Sequence, residues 1–309
     1  MKTSYKPEGT NQTLFQSFKS SPSAVYSLID DNKIYEAPVL KCDANLDLWL
    51  DFKGIKCIMP RDEVNYLYPG EKPKDIAVIC RVGKSVCFKI IGKTNIGSES
   101  VLIISRKLAQ EDCIESYINH LRPGDIIDAK ITHMEQFGAF CDIGCGIISL
   151  LSVDCISVSR ISHPSDRFSI GDKIKVVVKS IGENGRIYVS HKELLGTWEE
   201  NAAKFSPGQT VAGIVRSVEK YGIFVELSPN LAGLAEVKEG IYPSETAAVY
   251  IKSIIPERMK IKLVLIDGKC DLDTPKKFEY IGENHQLDHI DYWLYSPSCS
   301  EKTIESIFM

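Results

Sequence analysis

The chain lacks several of the marks by which a function is first sought. No apolar run among its 309 residues approaches the length that spans a bilayer, so no membrane-spanning helix and no membrane partner are expected. Met1 to Ser23 is polar and rich in Ser, Thr and Lys, without the apolar core of a secretory leader; residues 1–31 read as a disordered arm. There is no phosphate-binding Walker loop and no dinucleotide fingerprint. The six histidines are scattered, and His285 and His289, though four apart, sit in no zinc-protease motif. Ten cysteines contain no C-x-x-C pair. The nearest two, Cys141 and Cys145, have three residues between them and no further ligands at fixed spacing. Buried, reduced thiols in a cytoplasmic protein are expected, with Cys57, Cys80, Cys87, Cys141 and Cys155 in apolar strand-like runs. An excess of positive charge is missing too. The net charge is −4, so any contact with a polyanion must come from local patches. Together these absences argue against an enzyme, a cofactor, a metal and a small-molecule substrate.

What the chain does have is internal repetition. Ser105-Arg106-Lys107-Leu108 through Pro123-Gly124-Asp125-Ile126-Ile127 aligns with Ser190-His191-Lys192-Glu193 through Pro207-Gly208-Gln209-Thr210-Val211, at an offset of 84–85 residues. A unit of that size is a small domain rather than a solenoid repeat. Within the middle unit, short β-type runs follow one another: Asp125 to Ile131, Phe137 to Ile143, Gly146 to Leu151, Ile174 to Val178 and Arg186 to Ser190. Five short strands in such a length is the count of a closed OB-type barrel. The third unit repeats the scheme over Val211–Val215, Tyr221–Leu227, Gly233–Ala235, Ala248–Ile254 and Lys260–Val264. The first is fainter: Ile34–Leu40, Leu46–Phe52, Gly54–Pro60, Ile76–Arg81 with Val86–Ile91, and Val101–Ile104. The expected fold is therefore all-β: tandem five-stranded OB-fold barrels at 32–107, 122–190 and 207–266. Helical linkers fall at 108–121 and 191–206, the second opened by a Ser190…Glu193 capping box. The tail, 267–309, carries nine acidic against four basic residues. Its Tyr292-Trp293-Leu294-Tyr295 run predicts docking on the third barrel.

Phe137-Gly138-Ala139-Phe140-Cys141-Asp142-Ile143-Gly144, then Gly171-Asp172-Lys173-Ile174, then Gly185-Arg186-Ile187-Tyr188-Val189-Ser190, resembles the S1 RNA-binding domain family, an OB-fold module. The chain looks like a short, three-module bacterial member of the ribosomal S1 type. The resemblance implies a cytoplasmic, non-enzymatic protein of translation that binds single-stranded RNA or mRNA and associates with the small ribosomal subunit. An adaptor for ribosomal or polymerase proteins, or an RNA-binding regulator off the ribosome, stands as the alternative. The resemblance also implies a docking rather than an RNA-binding role for the first barrel, which has no Phe-Gly-x-Phe element.

Unpaired bases are held by stacking on exposed rings while cations follow the phosphates. On that basis the expected RNA-binding residues of the second unit are Phe137, Phe140, Arg186, Lys130, Arg160 and His163. Those of the third are Tyr221, Phe224, Arg216 and Lys260. Phe137 and Phe140 lie three apart, which in a regular strand puts them on opposite faces. A bulge or bend at Gly138 is needed to bring them together.

Overall fold

In a computed structural model of the chain, the residues described are 5–10, 29, 32–270, 272–273 and 275–308. They form three closed five-stranded barrels of one topology, first-second-third-fifth-fourth around the ring. The first barrel uses β1 (Tyr35–Cys42), β2 (Leu48–Phe52), β3 (Ile55–Met59), β4 (Ser85–Ile96) and β5 (Glu99–Ser105). The second uses β6 (Ile126–Glu135), β7 (Gly138–Asp142), β8 (Ile148–Ser152), β9 (Lys173–Ile181) and β10 (Ile187–Ser190). The third uses β11 (Thr210–Glu219), β12 (Gly222–Ser228), β13 (Leu231–Ala235), β14 (Thr246–Ile255) and β15 (Lys260–Gly268). In each barrel the third and fifth strands run parallel. Closure pairs each strand of these barrels on both sides.

Alternation along the strands explains both core and surface. In β15, Ile261, Leu263 and Leu265 are buried, while Lys260, Lys262 and Val264 face out. In β6, Ile127, Ala129 and Ile131 point inward. Leu48, Leu50, Phe52, Phe88, Leu102 and Ile104 fill the first barrel.

The chain divides into two units. The first comprises the described residues within 1–121, 142–148 and 183–185; the second comprises those within 122–141, 149–182 and 186–309. Within the first unit, residues 5–10 are not free, contrary to the disordered arm expected for 1–31. Glu8 is buried and ion-paired with the fully buried Arg106, Nε to Oε1 at 2.7 Å and Nη2 to Oε2 at 3.0 Å. A buried guanidinium demands a counter-charge, and these residues supply it. The rest of that arm, apart from Ile29, lies outside the described residues.

Four further expectations are corrected. Ile76–Arg81 is not a strand: Asp75–Ile79 is a short helix with Val78 buried and Ile76 and Ile79 exposed. β4 already closes the barrel, which leaves this run no pairing edge. The second linker is not one helix but a 3-10 turn, Lys192–Leu194, and a helix, Trp198–Ala202. Gly196, at φ +80°, separates them, and a Cβ there would meet Ile281 at 2.9 Å. The capping box is formed by Thr197 and Glu200, not by Ser190 and Glu193, although Ser190 Oγ does donate to Glu193 Oε2. Cys80 is exposed rather than buried, and the ten cysteines form no disulfide among the described residues.

Within the second unit the barrels are tied together. Arg167, from the long β8–β9 loop, donates through Nη2 to Glu226 Oε2 of β12 at 2.5 Å, with both side chains fully buried. Arg216 of β11 clamps the same carboxylate at 2.7 and 3.0 Å and approaches Asp166 at 3.5 Å. The tail straps both barrels. Trp293 and Tyr295 enter the third core, and Tyr295 Oη donates to Asn230 O at 2.5 Å. Phe278 and Tyr280 pack around His191 at 5.4 and 5.6 Å between ring centres, and Ile290 N donates to Gly124 O. The expected docking on the third barrel is joined by contacts of Phe278, Tyr280 and Ile290 with the second.

Candidate nucleic-acid interface

The second barrel brings its two phenylalanines together on the outside. Phe137 sits in the turn before β7 rather than within it, so strand parity does not separate it from Phe140. The rings lie 6.0 Å apart and perpendicular. Phe137 is 56% exposed and Phe140 half-buried. His133 of β6 stacks on Phe140, at 6.0 Å and 22°. Gly138 permits a close backbone approach: a Cβ there would lie 2.5 Å from Leu151 O and 2.9 Å from Ser152 Cα. The third barrel repeats the pair, with Tyr221 71% exposed and 6.1 Å from Phe224 at 85°.

Strand register extends these rings into a row. In the third barrel Ser217 pairs Phe224, Phe224 pairs Leu234, Leu234 pairs Lys262 and Lys262 pairs Ser253. In the second, Leu150 pairs Tyr188 and Tyr188 pairs Ser180, and Thr132 Oγ1 bonds Phe140 O at 3.0 Å. The Phe137–Phe140 motif matches Tyr221–Phe224. Phe140, Leu150 and Tyr188 therefore form the same cross-strand row as Phe224, Leu234 and Lys262. Tyr188 is 39% exposed and adds a third ring to the second barrel's face.

The expected cations divide. Arg186 flanks β10 two residues before Tyr188 and is half-buried; Lys130 is half-buried on the outer side of β6. Lys260 opens β15 exposed, two residues before Lys262, and Arg160 is exposed in the long loop. Arg216 departs from expectation: its guanidinium is engaged by Glu226 and Asp166 at the contact between barrels. His163 caps the 3-10 turn Pro164–Asp166, its Nδ1 accepting from Ser165 N at 3.1 Å. Tyr188, Leu150, His133 and Lys262 were not among the expected site residues. For Tyr188 and Lys262 the signal was their spacing of two from Arg186 and Lys260.

The acids near the aromatic strands are structural. Asp142 accepts from Glu8 N, Gly144 N and Gly146 N at 2.7–3.0 Å. Burial, and then the Glu8 charge, push its carboxyl up to about 7. Among the described residues, no cluster of three His, Cys, Asp or Glu forms a metal site, and no helix is long and apolar enough to cross a membrane.

Comparison with known proteins matches residues 120–192 to the S1 RNA binding domain. The chain is 35% identical over 144 residues to small ribosomal subunit protein bS1 of Staphylococcus aureus, covering 45% of this chain and 37% of that one. It is 31% identical over 215 residues to a 4-hydroxy-3-methylbut-2-enyl diphosphate reductase of Clostridium acetobutylicum, covering 68% and 32%. The chain thus spans about a third of the length of these curated relatives. Among solved structures, a multidomain protein with nucleic acid binding domains from Streptococcus pneumoniae aligns over 76% of this chain and 73% of its own, at 14% identity and a TM-score of 0.25.

Proposed function

We propose that the chain, whose residues 120–192 match the S1 RNA binding domain, holds single-stranded RNA on its second barrel and carries out no chemistry on it. The observation that supports this most is the perpendicular, solvent-facing pair Phe137 and Phe140, continued by Tyr188 in one row. Perpendicular rings offer a face and an edge to an unpaired base, and each stacked base contributes roughly 1–3 kcal/mol. Arg186, two residues before Tyr188, and Lys130 of β6 supply the cations for phosphates. The third barrel presents the same row with Lys262 in place of Tyr188 and acts as an auxiliary site.

The physiological ligand on this reading is mRNA, held at the small ribosomal subunit in the cytoplasm, as the likeness to bS1 suggests. The reductase likeness covers 32% of that protein, and the reading takes no reaction from it. The buried Arg167–Glu226–Arg216 cluster supports a cooperative second and third barrel, because it fixes both rows in one body.

The test is a titration of single-stranded RNA against wild type and Tyr188→Ala, followed by co-sedimentation with purified small subunits. Weaker binding by the variant and co-sedimentation of the wild type are expected. RNA binding without co-sedimentation removes the ribosomal part and leaves the RNA part.

A further inference from the structure

The first barrel lacks the Phe-Gly-x-Phe element and lies outside the family match, yet its strand register reproduces the row of the other two. β1 and β2 carry the same one-residue irregularity as β11 and β12: Val39 pairs Leu50 and Lys41 pairs Trp49, as Val215 pairs Val225 and Ser217 pairs Phe224. Trp49 then pairs Ile58, Ile58 pairs Ile103, and Ile103 pairs Gly92 beside a second irregularity. The third barrel has its irregularity at the corresponding point, where Lys262 pairs Ser253. Trp49 thus stands where Phe224 and Phe140 stand. Leu46, not an aromatic, stands three residues before Trp49 as Tyr221 stands before Phe224, so the first barrel keeps one ring of the pair.

We infer that the first barrel is a third nucleotide-stacking module, with Trp49 as its platform. The inference rests on the RNA reading of the second barrel for its ligand class, though not for its geometry. Trp49 is half-buried, and its indole N–H donates to Asp43 Oδ2 at 2.8 Å. Asp43 also accepts from Asn45 N and Asp47 N, so the ring is fixed by an ordered turn. That tie holds the plane without a binding partner, which lowers the entropy lost on stacking. Lys41 Nζ lies 5.2 Å from the ring centre on an exposed side chain. The ammonium lies over the ring face, so a base stacking there displaces it, and on its exposed side chain it moves to that base's phosphate. Residues 32–105 hold eleven Lys and Arg against nine Asp and Glu, an excess of two that complements a polyanion in a chain of net charge −4.

Tryptophan emission tests this directly. The other two tryptophans, Trp198 and Trp293, are each 3% exposed, so ligand-dependent change reports Trp49. The full chain is titrated with an unstructured oligouridine of about 40 nucleotides, long enough for several sites of roughly 4–16 nucleotides. Quenching is expected in wild type and in Phe140→Ala, and is absent in Trp49→Phe, which keeps a ring and most of the affinity. Trp49→Ala is expected to weaken binding by about fivefold to a hundredfold. Unchanged emission at RNA saturation, with Trp49→Ala binding as wild type, overturns the inference; if Phe140→Ala still weakens binding, the second-barrel reading survives it. That result would leave the Trp49–Ile58–Ile103 row to an apolar protein partner. The converse, dependence on Trp49 but not on Phe140, supports the first barrel and removes the second.

Discussion

Replacing Glu226 by Gln removes the one carboxylate that two guanidiniums share at the contact between the second and third barrels. Arg167 is fully buried and Arg216 nearly so, with side-chain exposures of 0% and 9%. Burial already holds the Arg167 guanidinium below its ordinary pKa, and Glu226 is the partner that opposes that shift. A buried charge stripped of its partner costs about 3–5 kcal/mol. For a folding unit of about 150–250 residues, each kcal/mol moves Tm by about 2–4 °C, so Glu226→Gln is expected to lower the second unit's Tm by about 6–20 °C. Arg167→Met combined with Glu226→Met removes both buried charges, and Arg216 retains Asp166 at 3.5 Å. The double variant is expected to recover most of the loss, because apolar replacement of a buried pair is commonly neutral or stabilising. Differential scanning calorimetry of both variants reads this out. A Glu226→Gln protein within about 1 kcal/mol of wild type, or a double variant worse than the single, refutes the reasoning.

Gly138→Ala forces a Cβ against Leu151 O and Ser152 Cα; overpacking of about 1–3 kcal/mol is expected in urea unfolding, together with weaker RNA binding as Phe137 and Phe140 shift. His191 is fully buried and burial holds its imidazole down to about 4, against 6.5 unperturbed. The unfolded chain therefore binds the extra proton first, so stability falls as pH drops from about 6.5 toward 4, by about 3 kcal/mol in all. His191→Phe should flatten that limb of the stability–pH curve, and an unchanged limb counts against the assignment. Tyr188→Ala is expected to weaken single-stranded RNA binding by roughly 1–3 kcal/mol, without change in far-ultraviolet circular dichroism.

Alternation made the barrels legible. Ile127, Ala129 and Ile131, or Ile261, Leu263 and Leu265, announce inward faces without help from neighbours. The ring pairs were legible because Phe137–Phe140 and Tyr221–Phe224 repeat within one chain. What stayed hidden depends on partners distant in sequence. Arg216 looked available because Glu226 and Asp166 reach it only through folding, and 50 residues of chain separate it from Asp166. Glu8 looked solvated because Arg106, its partner, is 98 residues away. Leu46 and Trp49 lie near the aromatic positions already in the sequence, but the match of Trp49 to Phe224 is fixed by strand register, not by a local motif. The Ser190…Glu193 box failed for a local reason: Gly196 in the left-handed region moved the helix start to Thr197.

The central claim concerns the solvent-facing rings of the second barrel, and the affinity of Phe137→Ala/Phe140→Ala for single-stranded RNA, followed across salt concentration, tests it most directly. The account predicts a loss of tenfold or more at every salt concentration, with the wild-type slope of log K against log salt retained at about 0.7 per phosphate contacted. Equal affinities for the two proteins would contradict it.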